Sequence, residues 1–252
     1  MKTLREGAIA MIDALGVKGI WRGPDGREDT RAAKTLRTAR RTARSMRLYF
    51  RTGLIPTVIQ ERFDVEPIVK VLSLSDTIVI AALPPDDVAR RDLCWPLVDL
   101  VCQAASYTMR KAAQEPLPLV YRGAVNFGRF LIDKSSLLGP AVDEVAEVSE
   151  LANGAFVWLM PRADELEPKP YRPDVWKTMA VRYSVPLKGG ANITTTVITP
   201  FADTGGIEEP PRIRAGYEMA MKSHRVDVAI KRQNTMRFLD HAAQALKLKL
   251  TL

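Results

Sequence analysis

Apolar and polar positions change period several times along the chain, and each change marks an element. Over residues 5–13, Ala8, Ala10 and Ile12 alternate with Ile9 and Met11, and the run breaks at Gly16. This predicts an opening strand that ends in a carboxylate. A Gly/Pro/Asp loop over 23–29 leads to Thr30, which caps a predicted helix with apolar residues at Leu36, Ala39, Ala43, Met46 and Phe50. Two β-rich runs, 68–72 and 77–81, are joined through Leu74-Ser75-Asp76 and predict a hairpin with Asp76 at its tip. Residues 86–113 carry the helical pattern, with Pro96 kinking or breaking the first part. A strand over 119–132, a loop over 135–139, a helix over 140–151 with Pro in its first turn, and a strand over 156–160 follow. The order β-α-β-β-α-β is the ferredoxin-like arrangement of an α+β fold. Beyond Pro161 the chain is Pro-rich; 176–187 then reads as a strand and 212–248 as one or two helices. No repeat or clean linker interrupts the pattern, so residues 1–190 are expected to form one domain, with 191–252 packed on it as a C-terminal extension.

Composition narrows the class. The chain has 252 residues, 46% hydrophobic and 26% charged, enough for a folded domain with a full core. Its apolar runs, such as 77–84, are far short of the roughly 20 residues that a membrane-spanning helix needs. The first residues lack a signal-peptide cleavage pattern, so a cytoplasmic location with no membrane partner is expected. Cys94 and Cys102 are eight residues apart in a predicted helix, about 12 Å by helical rise and too far to bridge.

Net charge is +8, which would suit a nucleic-acid partner, but it is concentrated. Between Arg27 and Arg51 eight arginines and Lys34 face only Glu28 and Asp29, so this one helix carries nearly all the excess. No zinc finger, helix-turn-helix or aromatic RNA-binding motif accompanies it. A solvated arginine face covering neighbouring apolar surface is favoured over a nucleic-acid site.

Several chemistries have no residues to carry them. There is no phosphate-loop Gly-x4-Gly-Lys-Ser/Thr, no Gly-x-Ser-x-Gly, no His-Glu-x-x-His and no Cys-x-x-Cys, and His224 and His241 are the chain's two histidines. Histidine-based hydrolysis and zinc chemistry are therefore set aside. Asp13 and Asp76 remain, one at a strand end and one in a hairpin turn. If those strands are neighbours, the two carboxylates converge and repel, and a hard divalent cation, Mg²⁺ or Mn²⁺, is the usual remedy. On spacing alone, a turn-forming or capping role for either aspartate stands equally.

The segments Ile12-Asp13-Ala14-Leu15-Gly16-Val17, Leu74-Ser75-Asp76-Thr77-Ile78-Val79, Arg122-Gly123-Ala124-Val125 with Gly128, and Gly139-Pro140-Ala141-Val142 resemble, in order, the signature blocks of class III nucleotidyl cyclases. The resemblance spans about residues 5–190. The stretch 121–128, the Gly-Pro-Ala-Val block and residues 231–239 are most similar to the bacterial Pycsar pyrimidine (uridylate) cyclases. The resemblance implies a homodimer with active sites at the subunit interface and two Mn²⁺ or Mg²⁺ ions per site. Asp13, Asp76 and the Ala14 carbonyl would be the ligands. It further implies a nucleoside triphosphate substrate cyclised to a 3′,5′-cyclic nucleotide and pyrophosphate. UTP giving cUMP is the expected case, with the product diffusing to a separate effector in antiphage defence; CTP, a purine triphosphate, or nucleotide sensing without turnover are the alternatives.

Further roles come from the same resemblance. Arg129 is similar to the family's triphosphate-binding arginine and Lys188 to its phosphate-binding lysine. Leu72 and Ser136 stand where purine cyclases carry their base-reading residues, and the missing charged reader argues against ATP or GTP. Phe50 or Tyr49 could wall a pocket for the smaller ring, although core packing explains them as well. One departure stands out: Asp143 and Glu147 occupy the positions where the family carries the Asn and Arg that stabilise the transition state. Two acids there would repel a pentavalent phosphate, so Arg122, Arg129, Lys134 or the basic helix would have to supply the charge.

Overall fold

Strand β1 (Arg5–Ala14) is apolar on both faces: Ala8, Ile9, Ala10 and Ile12 are fully buried. A strand of that kind belongs in the middle of a sheet covered on both sides. In the computed structural model, which describes residues 4–15, 37, 41, 68–74, 76–84, 93–132, 137–166, 178–202, 209–223 and 225–250, β1 pairs antiparallel with two strands, β3 (Thr77–Leu83) and β4 (Tyr121–Ile132). Strand β2 (Ile68–Leu74) pairs antiparallel with β3 in a register that sets Leu74 opposite Thr77. Residues 75 and 76 are thus the whole connection, and Asp76 sits in the tight turn expected of it. The path β2-β3-β1-β4 is a split β-α-β with β3 and β4 flanking the first strand, the α+β class predicted from the pattern.

The sheet continues beyond this core. β5 (Leu137–Leu138) pairs with the end of β4, and β6 (Val157–Leu159) runs parallel to β4. β7 (Ala180–Pro186) and β8 (Asn192–Ile198) form a hairpin in which β8 pairs with β6. The pattern predicted a single strand over 176–187, and β8 escaped it because Asn192-Ile193-Thr194-Thr195-Thr196 reads as polar. Threonine is nonetheless a good strand residue. Thr195 and Thr196 are buried, and the Thr195 hydroxyl donates to the Leu159 carbonyl at 2.6 Å. The hairpin turns at Gly189 and Gly190, both at φ +91°, a conformation that side chains disfavour. The sheet therefore runs on past residue 190, where the extension was expected to begin.

Helix α1 (Cys94–Ala113) covers one face, its Leu97, Val98, Val101 and Met109 packing with Ala8, Ala10, Ile12 and Ile80. Residues 86–92 of the predicted helix lie outside the described residues, and Pro96 lies in the first turn of α1, where a missing amide costs nothing. The other face carries α2 (Pro140–Ser149), α4 (Glu209–Ala220) and α5 (Val226–Ala245), while the short α3 (Pro161–Glu165) packs beside β4. There Val142 and Val145 of α2, Tyr217 of α4, and Phe238 and Leu239 of α5 bury with Ile9, Val79 and Ala124. Of the arginine-rich segment, Arg37 and Arg41 are described. Both are helical and exposed, and Arg41 pairs with Glu115 at 3.6 Å, in keeping with a solvated face. Cys94 and Cys102 are both unbridged. Among the described residues no helix is long and apolar enough to cross a membrane.

Candidate functional site

Strand register brings the site together. Asp13, near the end of β1, lies opposite Thr77 of β3 on one side and opposite Arg122 of β4 on the other. Directly paired residues point to the same face, so all three side chains project towards the layer of α2, α4 and α5. Asp76 precedes Thr77, and its carbonyl accepts a hydrogen bond from the Ala14 amide at 3.2 Å, which ties the hairpin turn to the end of β1. The two aspartates, 63 positions apart in sequence, consequently line one cavity with Ala14, Leu15 and Arg122. Its volume is about 320 Å³, within the range of small-molecule sites. Among the described residues the rest of its lining comes from the end of α4, the segment that follows it and the start of α5.

The electrostatics are those of a crowded acid pair. Burial pushes the Asp13 carboxyl up from its ordinary value, and the Asp76 charge pushes it further; Arg122 and a hydrogen bond donated by the Thr77 hydroxyl at 3.2 Å pull the other way without winning. Tyr121, one residue before Arg122 and fully buried on the opposite face, is pushed well up by burial and by both aspartates. Its hydroxyl has no partner among the described residues. Arg122 is itself buried. It reaches Asp13 at 3.6 Å and the Glu150 carboxylate at 3.2 Å, and donates to the Glu150 carbonyl at 3.3 Å. Glu150 in turn meets Lys188 at 3.8 Å. A chain of alternating charge, Asp13-Arg122-Glu150-Lys188, thus leads from the cavity to the β7–β8 turn.

These residues fit a hard divalent cation. The carboxylate pair is short of positive charge, as the upward shift at Asp13 records, and Asp13, Ala14 and Asp76 share one wall. Among the described residues no set of three His, Cys, Asp or Glu side chains gathers as a closed cage would. Two carboxylates with the remaining positions left to water and phosphate oxygens is the arrangement Mg²⁺ favours.

The other residues singled out from sequence are distributed unevenly. Leu72 is half-buried on the same face as Asp13, opposite Val79 and two strands away. Lys188 is exposed but linked to the site through Glu150. Arg129 does not join the cluster within the chain. Seven residues along β4 from Arg122, it is about 23 Å away by strand rise and on the opposite face, exposed and paired in register with Glu6. Asp143 and Glu147 are exposed on α2 and line no part of the cavity, so they do not face the carboxylates within one chain. Phe50, Tyr49, Lys134 and Ser136 lie outside the described residues. Sequence reasoning named Arg122 only as one of several spare cations. Its place beside Asp13 follows from the β1–β4 register, which the strand lengths alone do not give. The α4–α5 segment was missed altogether, since nothing local links residues 220–231 to a strand end near residue 13.

No protein-family model matches the sequence, and no curated protein matches it. Among solved structures, similarities in chain path are found to cyclases. One is the catalytic core of a rhodopsin-guanylyl cyclase with converted specificity, in complex with ATPαS, at 13% identity and TM-score 0.47 over 79% of this chain and 97% of that one. Another is the adenylyl cyclase CyaB from P. aeruginosa, at 10% identity and TM-score 0.47 over 82% and 100% of the two chains. A third is an adenylate cyclase from Trypanosoma brucei in its monomeric state, at 14% identity and TM-score 0.44 over 78% and 90%. At these values they are likenesses only, and the functional reading rests on the residues of the site.

Proposed function

We propose that the chain is a nucleotidyl cyclase whose reaction is intramolecular. The ribose 3′-oxygen of a nucleoside triphosphate loses its proton and bonds to the α-phosphorus, the bond from that phosphorus to the bridging oxygen breaks, and pyrophosphate leaves. The observation that carries the reading is the convergence of Asp13 and Asp76 on one cavity beside a buried arginine. Asp13, Asp76 and the Ala14 carbonyl would hold Mn²⁺ or Mg²⁺, two ions per site. Bound there, the cations supply positive charge to the ionising 3′-hydroxyl and to the phosphates as charge develops on them. Arg122 keeps one carboxylate compensated before the substrate arrives and, being fixed by Glu150, presents its charge without reorganisation. Lys188, at the far end of the same ion chain, is assigned to the phosphates.

The reading extends to UTP as substrate and cUMP as product, made as a messenger for a separate effector in antiphage defence of the Pycsar type. Its support is the resemblance of residues 121–128, 139–142 and 231–239, together with Leu72, which offers an apolar wall on the Asp13 face where a purine site needs a polar partner. Phe50 and Ser136 are assigned to the base pocket on the resemblance alone. Incubation with each of the four nucleoside triphosphates and Mn²⁺ tests both levels. Cyclic nucleotide is expected from UTP foremost, and Asp76→Ala should lower the rate ~10²-fold or more. Full activity of that variant would overturn the metal assignment; a purine product would overturn the base assignment alone.

A non-catalytic nucleotide sensor is the second reading. It is favoured by the Arg122–Asp13 contact, which competes with a cation for the same carboxylate. Saturable triphosphate binding with no product from any of the four nucleotides would select it.

A further inference from the structure

The carboxylates form only one wall of the cavity. Among the described residues the other is the turn between α4 and α5 together with the start of α5, where Lys222 and Arg225 of the turn and Lys231 of the helix line the same space as Asp13 and Asp76. Met221, 4% exposed, anchors this turn in the core beneath, so the backbone that carries Lys222 and Arg225 is fixed beside the site. Arg225 pairs with Asp227 at 3.1 Å and Lys231 with Asp227 at 3.5 Å. Arg225 and Asp227 are exposed and Lys231 is half-buried, so neither pair is locked away from solvent and each is worth little; a ligand of higher charge can draw the cations away. Counting Arg122, the described residues of the cavity are four cations against the three carboxylates Asp13, Asp76 and Asp227. It also receives the N-terminus of α5, a helix of 20 residues whose first turn has no side-chain cap and so presents the positive end of its dipole. Cations on one wall and a carboxylate pair on the other suit a ligand that is polyanionic along its length and carries a divalent cation at one end. A metal-chelated polyphosphate has that form.

We infer that the α4–α5 turn and the start of α5 grip the polyphosphate tail of the substrate, with Lys222, Arg225 and Lys231 as the phosphate-binding residues, donated by the same chain that carries Asp13 and Asp76. The inference rests on the nucleotide reading above and adds to it a source of phosphate-binding charge. It also accounts for Arg129, which is too far along β4 and on the wrong face to serve this cavity within one chain.

Inorganic triphosphate with Mn²⁺ is a probe that does not depend on the base. Its affinity is measured by calorimetry for the full chain, for Lys222→Ala/Arg225→Ala/Lys231→Ala, for Lys222→Ala alone and for Asp13→Asn, with UMP as the short-tailed control and Mn²⁺ binding followed by electron paramagnetic resonance. The triple variant is expected to lose about tenfold or more in triphosphate affinity, to show a weaker salt dependence of binding than the parent, and to keep Mn²⁺ and UMP affinity within about twofold. Unchanged triphosphate affinity in the triple variant, while Asp13→Asn abolishes Mn²⁺ binding, overturns the inference and leaves the cyclase reading intact. Failure of the unaltered chain to bind either triphosphate or Mn²⁺ overturns both. Should the triple variant not fold, Lys222→Ala decides. The exposed side chain can be removed without touching the core, and a drop of about threefold supports the inference while none rejects it.

Discussion

Asp13, proposed above as a metal ligand, carries a charge that costs the fold stability. Burial and Asp76 raise its folded pKa above the ordinary 3.8, so the folded state holds that proton more tightly than the unfolded chain does. The stability this contributes is complete below the unfolded pKa and is lost as pH climbs through the raised folded value. Replacing the group with an uncharged amide removes the loss. With chelator present, Asp13→Asn is expected to unfold at a higher denaturant midpoint than the parent at neutral pH, the gap shrinking as pH falls towards 4. A parent that matches or exceeds the variant at pH 7 would contradict this electrostatic account. Mn²⁺ should raise the melting temperature of the parent and not of the variant, because only the first gains from binding. The two aspartates were legible in the sequence because each stands at a strand end with apolar neighbours that cannot neutralise it. Arg122 was not, since its partner is set by pairing between strands more than a hundred residues apart.

Among the elements, α4 decides where the second wall of the cavity stands. It docks on the end of α1 through Gly216, where an added Cβ would fall inside the Ala113 carbonyl, a backbone atom that cannot turn aside. Gly216→Ala should therefore cost about 1 to 3 kcal/mol in chemical denaturation, and, by lifting the α4–α5 turn, should weaken triphosphate binding more than Mn²⁺ binding. Equal loss of both would mean that α4 supports the sheet rather than the turn. The core strands β1 to β4 were readable because periods of two and short turns are local signals, and the hairpin length alone fixed Asp76 in its turn. Strand β8 was not, because a run of threonines looks solvated until Leu159 supplies a buried carbonyl for one of them. Helix over 212–248 was foreseen, as one or two, but that it divides into α4 and α5 and how these dock depend on contacts, such as that of Gly216 with the Ala113 carbonyl, that no periodicity encodes.

At the scale of the molecule, the positions of Arg122 and Arg129 at opposite ends and faces of β4 bear on assembly. If Arg129 acts on a triphosphate, a second copy must present it, as the homodimer proposed from the resemblance requires. Mixing Asp76→Ala with Arg129→Ala, each deficient alone, should then restore up to about a quarter of the parent activity through statistical exchange of subunits. No recovery, together with full activity of Arg129→Ala alone, would assign all phosphate contacts to one chain. Asp143 and Glu147, exposed on α2, belong to the same question, because only a neighbouring copy could bring them near a bound nucleotide. The net charge of +8 favours association with polyanions, and rates of substrate capture should fall as ionic strength rises.

The cavity draws one wall from β1 and the other from residues roughly 200 positions later, a separation that makes its closure among the slowest contacts to form. During synthesis, the ribosome must reach about residue 231 of 252 before the acidic wall can meet its basic counterpart. A nascent polypeptide, or one clipped ahead of α4, would expose the aspartates without the turn that faces them. If the cyclase proposal holds, turnover would then be confined to finished molecules, and a single protease cut before residue 209 would part the acidic wall from the turn that faces it.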